Sequence, residues 1–334
     1  MAKLERNSEI ANGKSVKSTV KALRKRNKYK WFGYHLACLL YYQNPSSILA
    51  KSYQNTMYCA GQLEQTKGYI HTHWCKNRWC PACNRNYMGK MINTYKPRLD
   101  KEKGLVFLTL TAPNVPANSL EYELDRYRDA WRYIQKKYWF KKGIRDGVIG
   151  IRKVECTYNP IRDDYHPHLH LLLSDREFAE KVLLAWHEWN RLQQRWINPV
   201  AQKLKDVSSN GSYLEIFKYF TKLIAKDGKK REFFDAVHMN IIFEAMRGKR
   251  VYFRIGSKKA WQCDEVKDDG DDELLTKDEE DKIWTWMENT DYFGYYEIAD
   301  GEVLTEMMPP IHMSEILKNS TEKKNPHEVS SFLE

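Results

Sequence analysis

Tyr165-His166-Pro167-His168-Leu169-His170-Leu171-Leu172-Leu173 is a histidine-rich segment that leads directly into an apolar run. Side chains alternate across a strand, so His166, His168 and His170 project from one face and Leu169, Leu171 and Leu173 from the other. Two imidazoles two residues apart on one face can grip one metal ion. Upstream, Gly147 to Tyr158 reads as a second strand, and Asn159-Pro160-Ile161-Arg162-Asp163-Asp164 as the connection between the two. Across an antiparallel pair Glu155 then faces His168 and His170 and completes a set of two histidines and one carboxylate. Mixed nitrogen and oxygen ligands with open positions suit a Lewis-acid divalent ion better than a closed structural zinc. An isolated H-x-H also fits histidines that are surface-exposed or satisfied in the core, so the remaining sequence has to decide.

The 334 residues allow one large domain or two modest ones, and a hydrophobic content of 42% permits a core. A formal net charge of +11 favours a polyanionic partner, and 21 Tyr with 11 Trp offer flat surfaces on which bases can stack. No apolar run approaches the roughly 20 residues that span a bilayer. The start, Met1-Ala2-Lys3-Leu4-Glu5-Arg6, lacks a signal-peptide core, and a cytoplasmic protein without membrane partners is expected. Seven cysteines, several at metal-ligand spacing, point to reduced thiols rather than a disulfide framework.

Residues 1–30 read as a basic flexible arm and 31–100 as a helical region with a cysteine knuckle. In the knuckle, Cys75, Cys80 and Cys83 follow C-x₄-C-x₂-C, and Cys59 lies upstream as the preferred fourth ligand of a structural Zn²⁺, with His71 or His73 as the alternative. Arg78 and Arg85 give it a positive surround suited to DNA. Residues 101–262 form the next block. It holds a strand over Leu105–Thr111, apolar-striped helices from about Ser119 to Phe140 and Phe178 to Trp196, and strand-like runs Val237–Phe243 and Val251–Ile255. An acidic linker over 263–282 then precedes a small C-terminal unit, 283–334, whose end reads as disordered from about Asn319.

Within the middle block, Ser212 to Ile224 has helical spacing. Tyr213, Ile216, Phe217, Phe220, Leu223 and Ile224 make the buried stripe, and Glu215, Lys218, Tyr219 and Lys222 take the opposite or flanking surface. Glu215 and Tyr219, four apart, then lie side by side. An ordinary Glu and Tyr on a basic solvated helix would show the same pattern.

In this order, the motifs resemble the replication initiators of rolling-circle plasmids, within the HUH endonucleases, in which two histidines flank a hydrophobic residue. The resemblance covers roughly residues 55–260. It rests on Cys80-Pro81-Ala82-Cys83, Phe107-Leu108-Thr109-Leu110-Thr111, Glu155-Cys156-Thr157-Tyr158-Asn159, His166-Pro167-His168-Leu169-His170 and Glu215-Ile216-Phe217-Lys218-Tyr219. It implies an α+β fold, a central antiparallel sheet flanked by helices and carrying the H-x-H strand, with the small zinc knuckle beside it. It implies His168 and His170 as ligands of catalytic Mg²⁺ or Mn²⁺ with Glu155 as third, Tyr219 as the DNA-nicking nucleophile, and Glu215 as the carboxylate that activates water at termination in one branch. Lys218 and Lys222 would hold neighbouring phosphates. The implied partners are plasmid double-strand origin DNA, single-stranded DNA, and a host helicase and polymerase. A transposase or relaxase would use the same site, a zinc-containing DNA-binding regulator would leave it idle, and a small-molecule metal hydrolase fits the basic, aromatic composition poorly. The segment beyond the acidic run has no motif counterpart in the resemblance.

Overall fold

The computed structural model describes residues 16–66, 69–139, 147–207, 212–217, 224–226, 232–261, 273–274 and 281–322. In chain order the elements begin with α1 (Val16–Gln43), α2 (Ala50–Met57), β1 (Gln62–Thr66), β2 (Tyr69–Thr72), α3 (Pro81–Leu99), β3 (Val106–Thr111) and α4 (Leu120–Ile134). There follow β4 (Gly150–Asn159), β5 (Asp164–Leu173), α5 (Arg176–Leu192), β6 (Lys203–Asp206), β7 (Ile224–Lys226) and β8 (Glu232–Phe234). The last are α6 (Ala236–Ala245), β9 (Tyr252–Ile255), α7 (Lys258–Trp261), β10 (Glu273–Leu274), β11 (Lys282–Glu288), β12 (Phe293–Glu297), β13 (Val303–Met307) and α8 (Ile311–Glu322). The chain divides into two units, one of Tyr87–Lys229 with Ile241–Val266, the other of Met1–Asn86 with Lys230–Asn240 and Lys267–Glu334. Among the described residues no helix is long and apolar enough to cross a membrane.

The first unit is built on a five-stranded sheet in the order β6-β3-β5-β4-β9, and every pairing is antiparallel. The histidine strand β5 is therefore central, as the resemblance implies. Its leucine face, Leu169, Leu171 and Leu173, joins Leu108 and Leu110 of β3 in a core closed by Tyr127 and Trp131 of α4 and Phe178, Val182 and Trp186 of α5. Each fully buried side chain of this kind contributes roughly 1.5–3 kcal/mol. Asp175 caps α5, its carboxylate accepting from the Phe178 N–H at 2.7 Å. The Tyr127 hydroxyl donates to the Pro167 carbonyl at 2.7 Å, tying α4 to the histidine strand between His166 and His168. Pro167 lies one residue past the last β3 pair, Thr111↔His168, where a residue without an N–H is tolerated.

The β4–β5 connection is the tight one expected. Asn159 Oδ1 accepts from the Ile161 N–H at 3.0 Å, and Asp163 takes a left-handed φ of 51°, a conformation Asp adopts more readily than most residues. On the histidine face, the Leu172 end of the sheet is covered by a second cluster that contains Ile149, Ile151, Leu172, Met88, Tyr213, Ile216, Phe217 and Trp261. Tyr95 stacks parallel to Phe217 with ring centroids 6.2 Å apart. Tyr213, Ile216 and Phe217 are buried and Glu215 is exposed, as the stripe predicts, although the described stretch Ser212–Phe217 is a 3₁₀ turn rather than an α-helix. Lys218, Tyr219 and Lys222 lie outside the described residues.

Four expectations are corrected. Residues 16–30 are not a flexible arm. They are the first half of α1, and Leu23, Asn27 and Lys30 are buried. Polar residues hide this stripe because their partners are distant: Asn27 Nδ2 donates to Thr305 Oγ1 at 3.3 Å, and its Oδ1 accepts from Trp286 Nε1 at 3.0 Å. The segment after the acidic run is not an appended unit either, because β11 pairs with β1 from Gln62↔Thr285 to Gln65↔Lys282 within a six-stranded sheet of order β10-β2-β1-β11-β12-β13. Val237–Phe243 is helical rather than a strand. Ala236, Met239, Asn240 and Phe243 are buried at helical spacing, and Asp235 accepts from the His238 N–H at 3.1 Å. The order of α8 runs through Glu322, past Asn319, with the Ser320 hydroxyl accepting from the Phe234 N–H at 2.7 Å. Most of the acidic run and residues 323–334 lie outside the described residues.

Gly150 opens β4 at a close approach, since a Cβ there would stand 2.4 Å from the Leu172 carbonyl oxygen and 2.7 Å from Leu173 Cδ2. Gly150→Ala is expected to lower unfolding stability by about 1–3 kcal/mol through overpacking. Gly104→Ala, with nothing within 4 Å of its added methyl, should change it far less. Equal denaturant midpoints for the two variants would contradict this reading of the sheet.

Candidate functional site

On the histidine face the register pairs Glu155 with His168 and Lys153 with His170 across β4–β5, and Thr109 with His170 and Thr111 with His168 across β3–β5. One ligand atom from each of Glu155, His168 and His170 lies within 4.8 Å of the others. His170 Nε2 is 3.5 Å from Glu155 Oε2. His166 is not part of this set.

Hydrogen bonds fix how two of the rings present themselves. His168 Nδ1 is 3.0 Å from the His166 carbonyl oxygen, which can only accept, so Nδ1 carries the proton and Nε2 keeps its lone pair. His170 Nδ1 is engaged by Thr109 Oγ1 at 3.2 Å, leaving Nε2 on the Glu155 side. Asn114 donates to Asp164 at 2.6 Å, so its Oδ1 faces His166 Nδ1 at 2.7 Å and accepts from it. Burial, reinforced by the neighbouring imidazole, pushes His166 and His168 down to about 4, so both rings are neutral at ordinary pH. Neutral imidazoles with free lone pairs beside a carboxylate fit a divalent cation.

Lys153 is a site residue that the sequence reading missed. It is 2% exposed, and its ammonium lies 3.0 Å from Glu155 Oε2, giving the carboxylate a positive neighbour inside the protein. The signal was its place two residues before Glu155, on the same strand face. Thr109 and Asn114 were missed as well, because supporting roles across a sheet leave no local spacing.

The second predicted cluster is in the other unit. Cys59, Cys75, Cys80 and Cys83 converge, and neither His71 nor His73 belongs to the group. Sulfur separations are 3.4 Å for Cys59–Cys83, 3.6 Å for Cys75–Cys83 and 3.7 Å for Cys59–Cys80. A tetrahedral ion with metal–sulfur bonds of about 2.3 Å places its ligands about 3.8 Å apart, whereas a disulfide needs about 2.0 Å. All four are free thiols. Hydrogen bonds from Cys59, Cys80 and Cys83 hold the Cys75 thiol far down, while the same crowding and burial hold Cys80 and Cys83 up. A cation bound among the four sulfurs would displace thiol protons. Backbone N–H groups of Cys75 and Cys83 reach Cys59 Sγ at 3.4 Å and Cys80 Sγ at 3.5 Å. Lys30 donates to the Met57 carbonyl at 2.5 Å, and burial brings its ammonium down to about 8 against the opposing pull of the cysteines. Arg85 is exposed and stands over the Tyr29 ring at 4.7 Å, and Arg78 is half-buried.

A family model described as Replication protein matches residues 67–296. The chain belongs to this replication protein family. The match extends past the acidic run into β11 and β12, beyond the reach of the sequence motifs. "Protein rep" of Staphylococcus aureus is 35% identical over 136 residues, which cover 38% of this chain and 57% of that protein. "Protein rep" of Streptococcus pneumoniae serotype 2 is 26% identical over 179 residues, 48% of this chain and 55% of that protein. "Protein rep" of Bacillus amyloliquefaciens is 32% identical over 130 residues, 37% of each chain. The chain thus spans about half the length of the first two and less of the third. No solved structure matches.

The Lys153–Glu155 pair is open to a direct test. Lys153→Met leaves a carboxylate buried without its cation and should cost about 3–5 kcal/mol of unfolding stability. Lys153→Met with Glu155→Leu removes both charges and should recover most of that loss. A double variant no more stable than the single one would show that the two groups are not coupled.

Proposed function

We propose that this chain initiates rolling-circle replication of a plasmid by nicking one strand of its origin, acting in the cytoplasm. The observation that carries the proposal is the convergence of Glu155, His168 and His170 on one face of the central strand in a member of the replication protein family. A divalent ion, Mg²⁺ or Mn²⁺, held by these three residues would polarise the scissile phosphate and offset charge on its oxygens. His168 presents a neutral nitrogen, His170 turns Nε2 toward Glu155, and Lys153 adds a positive charge beside the carboxylate.

Tyr219 is the proposed nucleophile. It follows by two positions Phe217, which is buried on the histidine face of the sheet. Its phenol, with an ordinary pKa near 10, must lose its proton to attack. The phenolic oxygen bonds to phosphorus as the bond from phosphorus to the 3′ oxygen breaks, leaving a 5′-phosphotyrosine and a 3′ oxygen that takes up a proton. One ester replaces another, so the strand can later be rejoined. The free 3′-hydroxyl suits extension by a host polymerase as a helicase unwinds the duplex. Lys218 and Lys222, with Arg78 and Arg85 of the knuckle region, are proposed phosphate contacts. Glu215, exposed and four residues before Tyr219 in the sequence, is proposed to take a proton from water at termination, an effect of about 10²–10⁴ in rate. Zn²⁺ is proposed for the four cysteines, as a closed structural site without an open position.

Supercoiled plasmid carrying the origin should be nicked with Mn²⁺, and His168→Ala or His170→Ala should abolish the cut. Tyr219→Phe should leave no protein-linked 5′ end, while Glu215→Ala should nick normally but accumulate unreleased strands. Full cleavage in excess chelator, or an adduct mapped to Tyr213, would refute the mechanism.

Metal analysis of the purified chain should find one zinc. A Cys80→Ser, Cys83→Ser variant should lose it, and unchanged zinc content would remove the knuckle from consideration as a zinc site.

A further inference from the structure

The face of the sheet turned away from the histidines has a pocket of about 270 Å³ between α4, β4, β9 and the turn that follows α6. Arg152 of β4 lines it and is only 6% exposed, pointing by alternation opposite to Lys153. Its guanidinium is stacked between Trp131, at 5.2 Å, and Phe253, its cross-strand neighbour, at 5.4 Å. Arg250 stands over the same Phe253 ring at 5.6 Å.

The charges here do not balance. Lys249 pairs with Asp125 at 2.6 Å, Arg128 with Asp125 at 2.7 Å and Arg132 with Asp129 at 3.1 Å. Among the described residues, neither Arg152 nor Arg250 has a carboxylate partner. Arg152 Nε and Trp131 Nε1 are buried donors with no acceptor. Burial, with the charge of Arg250 adding to it, brings Arg152 down to about 10, the direction expected of a cation kept inside without a counter-charge. Ring faces attract a guanidinium but accept no conventional hydrogen bond. An anion with several oxygens would answer both deficits, and the planar fork of arginine matches phosphate with paired bonds.

We infer that this pocket binds a phosphate group, either a phosphodiester of a DNA strand passing behind the sheet or the phosphate of a free nucleotide. The site is distinct from the histidine face, and the inference stands on its own geometry, independent of nicking.

The test uses the full chain, Arg250→Gln, which changes an exposed residue, and Arg152→Met, which replaces a buried cation by an apolar chain of similar length, with circular dichroism to confirm folding. In one arm inorganic phosphate, compared with chloride at equal ionic strength, should raise the thermal midpoint of the wild type and have a smaller effect on either variant. In the other arm a labelled single-stranded oligonucleotide is titrated at several salt concentrations, and each variant should lose about 0.7 from the slope of log affinity against log salt per phosphate contact removed. A response confined to inorganic phosphate assigns the pocket to free phosphate compounds, and a changed salt slope assigns it to DNA. If folded variants match the wild type in both arms, the inference is overturned.

Discussion

The antiparallel register that sets Glu155 opposite His168 is the constraint on which the site depends, and the site does not supply it. A slip of one residue would turn Leu169, Leu171 and Leu173 out of the core and bring histidines into it, losing several burials worth roughly 1.5–3 kcal/mol each. Packing by α4 and α5 on one side of the sheet therefore fixes which atoms converge on the other. The Tyr127–Pro167 bond and the Asn159 turn pin the same register from two further directions. The placement of these three side chains is in this sense a by-product of burying leucine.

What was legible in the sequence follows from the range of each signal. Period-two alternation is local, so the histidine strand, its partner and Glu155 could be read directly, and the cysteine spacing is local as well. Cys59 was preferred as a fourth cysteine upstream, while thiolate and imidazole both suit zinc, and only the folded chain separates it from His71 and His73. Lys153 was passed over because a lysine on a strand ordinarily reads as solvent-facing, and its burial depends on Glu155 two residues away. The helix over Val237–Phe243 was read as a strand because a short apolar run has no period of its own. Residues 16–30 looked unstructured because Asn27 finds its partners at Trp286 and Thr305, far along the chain.

Buried cations recur, each compensated differently. Lys153 has a carboxylate, Lys30 has a carbonyl and a nest of thiols, and Arg152 has, among the described residues, only ring faces. Removing an ion from water costs several kcal/mol, so these positions are not surface charges that happen to be covered. Adjacent residues of β4 thus send Lys153 and Arg152 to opposite faces with opposite provisions. One strand serves two chemically separate environments.

The pairing of β1 with β11 also governs the order in which the molecule can be completed on the ribosome. At about 5–20 residues per second, Gln65 waits roughly 10–40 s for Lys282 to be synthesised. Through most of that interval both edges of the β1–β2 hairpin lack their native neighbours, β10 and β11, and every strand of the five-stranded sheet is made before either of them. The nascent chain therefore carries an open β edge, a template for pairing with other chains, until its closing strands emerge. A stall or premature stop before β11 would leave that edge permanently uncapped even though the histidine-bearing sheet was complete.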